Sequence, residues 1–406
     1  MTGRRRILYL AVGASCFGGA EVQYRYLVED LDRARYVPLL LTPCRGALND
    51  ALDRSGVENA VFGYPPWRRR TLWSRRCAQR RLIELAGRQR VDLVHSDFSL
   101  GPYAVAIGAT LGVPSVLHVR RALQPTWAGR YRLHRADALI AIGARYRQQS
   151  LVAGIACDRV AVIEDATDVR RFTPHADARL RREYPALRDR VVLGLVGRIE
   201  PGKRQLEFLR AVERLLRDGH PVAAVVVGAP NRDWPRYVRR AQAFATAPAS
   251  ASHVVFAGAR ADMESVIPSL DVLVTLSGGS VMLEAMACGV PVVTASDRPA
   301  AELAVVRDGE AGLVVPANDA DALVAALARL CNDPALRRAL GARGRRRAEQ
   351  RYARARLARQ TERLYDALLA TGRAAPPTSL DASHADVLDA PIAAALASRR
   401  PHARRE

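Results

Sequence analysis

Asp271-Val272-Leu273-Val274-Thr275-Leu276-Ser277-Gly278-Gly279-Ser280-Val281-Met282-Leu283-Glu284-Ala285-Met286-Ala287-Cys288-Gly289-Val290-Pro291-Val292-Val293 holds a whole folding unit. An apolar run ends in a glycine loop, a short helical stretch follows, Gly289 stops it and a new apolar run begins. Apolar runs that alternate with helical stretches are the pattern of βαβ units and of a parallel sheet buried on both faces. The pattern extends to Val191–Val196, Val222–Val227, His253–Ala257 and Gly312–Val315. An earlier set, Ile7–Val12, Tyr36–Leu41, Asp92–Val94, Ser115–Val119 and Ala138–Ile142, has the same character. Between the sets, Asp165 to Arg190 carries Pro174 and an Arg-rich stretch without a clean period. The chain therefore reads as two αβ sheets.

Ala320 to Cys331 and Pro334 to Ala370 read as terminal helices, the second with a break at Gly341 and Gly344. From Thr371 onward, Pro376-Pro377 and a run of Ala, Ser and Asp predict a flexible tail, with a short helix around Pro391 to Ser398 as an option. The length of 406 residues, 49% hydrophobic and 25% charged, fits two globular domains and excludes collagenous, coiled-coil or mainly disordered classes. The net charge is +21, yet lysine occurs once, at Lys203; every other side-chain base except histidine is arginine. That bias weakens the case for a polyanionic partner. No nucleic-acid reader motif or aromatic platform accompanies the charge, so no nucleic acid is expected. The six cysteines are scattered without a C-x-x-C pair, which reads as reduced thiols in a cytoplasmic protein. The apolar run after the basic start is too short for a secretory or membrane-spanning segment.

Three places suit an anionic ligand. Gly18 and Gly19 lie at a strand-to-helix turn, where backbone N–H groups and the helix terminus favour an anion; a tight turn without a ligand is the alternative. Arg198 and Lys203 follow strand Val191–Val196 on a Pro/Gly loop at a parallel strand's C-terminal end, where they would neutralise a diphosphate or serve as solvated charges. Glu284 stands one turn into the helix after Gly278-Gly279, where its carboxylate would accept two ribose hydroxyls or simply complement the helix dipole.

Together, Gly18-Gly19-Ala20-Glu21, Val196-Gly197-Arg198 with Lys203, Glu284 to Val293, and Asp308-Gly309-Glu310-Ala311-Gly312-Leu313-Val314-Val315-Pro316 resemble the family-4 group of retaining glycosyltransferases with the GT-B fold. Ala136 to Ala141 and Val162 to Asp168 add weaker matches, and the resemblance spans roughly residues 5 to 370. It implies two Rossmann-like domains facing across a cleft, with a C-terminal helix crossing back to the first. The expected division is an acceptor-binding domain over 1–170, a linker over 171–189, a nucleotide-sugar-binding domain over 190–350, a crossover helix over 351–370 and a flexible tail over 371–406. The implied reaction moves a sugar from a nucleotide-sugar donor to a glycan or lipid-linked acceptor, in cell-surface polysaccharide or glycolipid synthesis, with neither cofactor nor metal. By the same resemblance Arg198 and Lys203 hold the leaving diphosphate and Glu284 the ribose. Gly279, Ser280 and Val281 contact phosphate or sugar, Gly18 and Gly19 approach from the opposite domain, and His118 lines the sugar site or is structural. Nucleotide-sugar epimerases share the two-domain shape without these motifs.

The chain departs from the family in one important place. Members carry a second Glu, in a segment like Glu-Gly-x-Gly, eight residues before the one matching Glu284; here that position is Leu276. The alternative is thus a catalytically impaired, glycosyltransferase-like binding protein. Asp165-Ala166 stands where Asn-Gly is common, and Val119 follows His118 in place of an acid. Finally, Pro65 to Ile83 packs seven Arg around Trp67 and Trp73. Arg68, Arg69, Arg75 and Arg76 suit an anionic membrane surface at the inner face of the membrane. A solvated helix face, with Trp73 packed on the sheet, is the alternative, and such a face is expected for Arg337 to Arg363.

Overall fold

The computed structural model describes residues 3–15, 19–67, 71–124, 126–174, 179–248, 250–296 and 305–371. Gly18, Arg68, Arg69 and the expected tail from 372 onward lie outside the described residues. Strands β1 (Arg5–Leu10), β2 (Tyr36–Thr42), β3 (Glu58–Val61), β4 (Leu93–Asp97), β5 (Ser115–Val119), β6 (Ala138–Ala141) and β7 (Val160–Val162) form one parallel sheet in the order β3-β2-β1-β4-β5-β6-β7. Strands β8 (Val191–Val196), β9 (Val222–Val227), β10 (Val254–Gly258), β11 (Val272–Thr275), β12 (Val292–Ser296) and β13 (Gly312–Pro316) form a second in the order β10-β9-β8-β11-β12-β13, also parallel.

Alternate residues of each strand feed opposite cores, as the pleat requires. Leu8 and Leu10 join the Leu72–Arg88 and Gly101–Leu111 helices on one face of the first sheet. Ile7 and Tyr9 join Tyr24 and Leu27 of the Gly19–Asp30 helix on the other. The C-terminal helix, Arg354–Thr371, completes that second face, with Leu357, Ala358, Leu364, Tyr365 and Leu368 in the same cluster as Ile7 and Tyr9. It does cross back.

The break expected at Gly341 and Gly344 is not there; the Pro334–Arg351 helix runs through both. These glycines permit close approach: a Cβ on Gly344 would touch Met286 and Ala311 at 3.5 Å. The interruption falls at Tyr352–Ala353, where Thr167 N–H donates to Tyr352 O at 2.7 Å and Arg354 N–H to Thr167 O at 3.2 Å. The two passages of the chain between the domains thus lie side by side.

The arginines from 337 to 363 are not mainly a solvated face. Arg345 donates to the carbonyls of Phe172 and Ala287 at 2.6 Å and of Val169 at 3.0 Å, clamping linker to helix. Arg351 pairs with Glu164 at 2.7 Å, and Arg354 with Glu29 and Asp30, both at 2.7 Å. The five described cysteines are free thiols. Among the described residues no helix is long and apolar enough to cross a membrane.

Candidate active site

At the C-terminal end of β8 the chain turns at Gly197, φ +152°, and at the end of β9 at Gly228, φ +151°. A Cβ on Gly228 would lie 2.1 Å from Gly197 O, so the turns meet backbone to backbone and only glycine fits. Lys203 lays its stem over Gly197, its Cδ 3.2 Å from where a Cβ would stand. Gln205 Nε2 donates to Arg198 O at 2.7 Å, holding the loop. Arg198 is 69% exposed, and its nearest carboxylate, Glu200, stands 3.5 Å away and also accepts from Asn231 at 2.6 Å. Among the described residues the Lys203 ammonium has no acidic partner. Two cations are thus held in place with little of their charge spent internally.

The glycine loop before the Val281–Ala287 helix adopts left-handed conformations at Gly278, φ +68°, and Gly279, φ +124°. Thr275 Oγ1 pins it by donating to Gly278 O at 3.0 Å. A Cβ on Gly19 would lie 3.2 Å from Ser280 Oγ. The start of the Gly19–Asp30 helix therefore faces the glycine loop of the opposite domain.

Glu284 lies partly buried on the next turn. Burial pushes its carboxyl up to about 7, against the pull of Arg171 and with a further push from Glu264. Arg171 itself pairs with Glu264 at 2.7 Å. Burial raises the Tyr26 phenol to about 12, and the Glu284 charge adds to it. Glu284 is thus sensed by a tyrosine of the first domain and an arginine of the linker.

His118 is fully buried. Its Nε2 is buried without a hydrogen-bond partner. Its ring stacks on His95 at 5.4 Å, and Nδ1 lies 3.1 Å from Arg120 Nη2. A guanidinium only donates, so Nδ1 accepts and the neutral ring carries its proton on Nε2. Burial, with Arg120 and His95 alongside, pushes the imidazole well below its ordinary range and keeps it neutral. Behind it, His95 Nδ1 meets Tyr365 Oη at 2.5 Å, and Tyr365 Oη meets Tyr9 Oη at 2.9 Å.

Sequence reasoning missed the surroundings of that ring. Arg120 ion-pairs with Asp165, and the Gln23 carboxamide grips both backbone groups of Ala166 at 2.7 Å. The one trace in the sequence was Asp165, an acid where Asn is common. In the basic segment, Arg75 is corrected. It is only 9% exposed, its guanidinium 4.2 Å over the Trp67 ring, which itself packs edge-on against Tyr103. Trp73, far from packing on the sheet, is 79% exposed beside exposed Arg76.

Two family models match the chain: Glycosyltransferase Family 4 over residues 17–171 and Glycosyl transferases group 1 over residues 177–347. A GDP-mannose-dependent alpha-(1-6)-phosphatidylinositol monomannoside mannosyltransferase of Mycolicibacterium smegmatis is 34% identical over 194 residues, 44% of this chain and 48% of that protein. A D-inositol 3-phosphate glycosyltransferase of Acidothermus cellulolyticus is 33% identical over 206 residues, 47% of this chain and 44% of that one. The chain spans about half the length of the curated relatives it matches. Among solved structures, Anabaena HepE in complex with UDP and glucose aligns with a TM-score of 0.76 at 22% identity, over 88% of this chain and 98% of that one. Sucrose-phosphate synthase from Thermosynechococcus elongatus aligns with a TM-score of 0.74 at 21% identity, over 90% of this chain and 100% of that one. At these identities the likeness is one of fold.

Proposed function

Because the chain belongs to the family-4-type glycosyltransferases of the GT-B fold, we propose that it moves a sugar from a nucleotide-sugar donor to a glycan or lipid-linked acceptor, with retention at the anomeric carbon. The observation that carries this reading is the pair of preset, little-compensated cations, Arg198 and Lys203, at the C-terminal edge of β8. Breaking the anomeric bond leaves negative charge on a diphosphate, and fixed cations aimed at that charge lower the barrier. Arg198 offers a planar fork and Lys203 a compact charge, so neutralisation is assigned to these side chains without a metal. Glu284 accepts from the ribose hydroxyls, and the backbone N–H groups of Gly279, Ser280 and Val281 face phosphate or sugar. Gly18 and Gly19 close over the donor from the other domain. The acceptor hydroxyl attacks on the face from which the diphosphate leaves and passes its proton to a phosphate oxygen.

The reading places the enzyme in cell-surface polysaccharide or glycolipid synthesis on the cytoplasmic side of a membrane, with Trp73 and Arg76 touching anionic headgroups. A second reading rests on Leu276, which is buried in the core where a sugar-holding acid is expected. The chain would then bind nucleotide-sugars without turning them over. A panel of UDP-, GDP- and ADP-sugars, scored for nucleotide release and transfer, separates the two. Transfer supports the first reading, tight binding without release the second, and no nucleotide binding removes both.

A further inference from the structure

The last turns of the Pro334–Arg351 helix carry a charge cluster that the donor chemistry does not use. Arg343, Arg346, Arg347 and Arg351 stand at i, i+3, i+4 and i+8, on one stripe of the helix. With Gln350 and Glu310 they line a concavity of about 400 Å³. Glu310 lies just before β13, at the N-terminal edge of the second sheet. Because the strands are parallel, Arg198 and Lys203, which follow β8, lie at the opposite edge. The concavity is thus separate from the donor site.

The chain is rich in arginine everywhere, but these four are not loose surface charges. Arg343 donates to the carbonyls of Glu310 at 2.9 Å and Gly309 at 3.0 Å. Arg347 donates to the Val305 carbonyl at 3.3 Å and the Glu310 carboxylate at 3.2 Å. Arg351 grips both oxygens of Glu164, at 2.7 and 3.2 Å. Like charges three and four residues apart on a helix repel, so holding them together is unfavourable without an anion. Little is supplied internally. Among the described residues neither Arg343 nor Arg346 meets a carboxylate, and Glu310 is shared between Arg347 and Arg307. The lining therefore sets four guanidiniums against one carboxylate. A concavity lined by one sign of charge focuses its field on whatever enters.

The forks also select the anion. A carboxylate offers two oxygens in one plane, which suits a single guanidinium; a phosphate monoester offers three oxygens and nearly two charges to several converging forks. None of the six lining residues is aromatic, so a nucleobase would find nothing to stack on. We propose that Arg343, Arg346, Arg347 and Arg351 form a second anion site that takes a phosphomonoester group. Glu164 lies two residues past β7 of the first domain, so a phosphate arriving at Arg351 competes with a contact between the domains.

The test uses the full chain carrying Arg198→Gln and Lys203→Ala, which weakens phosphate binding at the donor site. Calorimetric titration with glycerol phosphate reads the second site, with acetate as the carboxylate control. Vesicles of phosphatidylcholine with phosphatidic acid present the same phosphomonoester on a lipid surface, read by co-sedimentation. Glycerol phosphate should bind at least about tenfold more tightly than acetate. Arg346→Glu, at an exposed side chain, should weaken phosphate binding at least about tenfold and leave the melting temperature in place. Glu164→Gln should tighten binding, by up to about fivefold, because it releases Arg351. Arg346-dependent binding of the soluble ester identifies a free phosphate as the source; Arg346-dependent sedimentation without soluble binding identifies a lipid headgroup. Acetate binding as tightly as glycerol phosphate would overturn the proposal. So would binding that ignores Arg346, an affinity unchanged or weaker in Glu164→Gln, or no binding of either form.

Discussion

Gly341, midway along the Pro334–Arg351 helix, lies against the backbone of Gly289, where a Cβ would stand 1.9 Å from Gly289 O. Gly289, φ +69°, ends the helix that carries Glu284, so this contact fixes the Glu284 helix from behind. Backbone cannot yield as a side-chain tip can. Gly341→Ala is therefore expected to cost about 1–3 kcal/mol or more in chemical denaturation. Gly63→Ala, with nothing within 4 Å of the new methyl, should stay within about 0.5 kcal/mol.

Lys203→Ala and Glu284→Ala should each lower kcat/KM for transfer at least about tenfold, since each removes a charge-assisted contact worth ~1.5–3 kcal/mol. The two should divide differently. Charge that develops on leaving is felt in kcat, so Lys203→Ala should fall mainly there, whereas Glu284→Ala should mainly raise the donor KM. Unchanged turnover in both variants would remove the assignment.

The Glu284 carboxyl titrates in the native protein at about 7, above its ordinary value of 4.5. Between those values the folded chain keeps a proton that the unfolded chain releases. This group's contribution to stability therefore falls as pH rises through that window. Wild type minus Glu284→Gln, compared in urea titrations across the window, should show that downward slope. Nucleotide affinity should move the opposite way, improving in wild type as pH rises past about 7 and the carboxylate becomes a better acceptor for ribose hydroxyls. Calorimetric titration with UDP or GDP across that range reads it, and a flat profile in both experiments would contradict the shift.

Gln23→Ala deletes two bonds, both of 2.7 Å, that satisfy the N–H and the carbonyl of Ala166. Each backbone group left unpaired inside the fold costs about 1–3 kcal/mol. A drop of at least about 2 kcal/mol in the unfolding free energy is the expected reading. Gln23→Met, of similar volume, should not restore it.

Replacing exposed Trp73 and Arg76 by Ala and Gln should reduce co-sedimentation with anionic vesicles and leave the melting temperature in place. Arg75→Gln should behave in reverse, lowering the melting temperature through the loss of its stacking on Trp67. Equal sedimentation of the double variant would leave the segment an ordinary helix face.

The two-sheet plan was legible because strands such as β8 and β9 are continuous apolar runs, buried from both sides. Strand β3, Glu58–Val61, was not, since as an edge strand it keeps three of its four residues exposed and has no apolar run to see. β7, at the other edge, is only three residues long. Gly341 was misread for a different reason: a glycine inside a helical pattern marks either a break or a close approach, and only its partner, Gly289, decides. The glycine loops and the Arg198–Lys203 loop were local in sequence and easy to find. The Arg120–Asp165 pair joins residues on separate strand ends, and nothing in either segment announces the other. Arg75 and Arg76 are adjacent on a helix, yet one is buried against the Trp67 ring while the other lies exposed beside Trp73.

The helix Arg354–Thr371 belongs by sequence to the end of the chain and by packing to its beginning. During synthesis the first sheet therefore leaves the ribosome with Tyr9 and Tyr36 lacking their Tyr365 partner, and they stay so until the whole second domain has been made. The second domain, contiguous in sequence, can finish first. The usual order of N-terminal before C-terminal is inverted. A chain cut between residues 351 and 354 would carry a complete second domain beside a first domain with an open apolar flank.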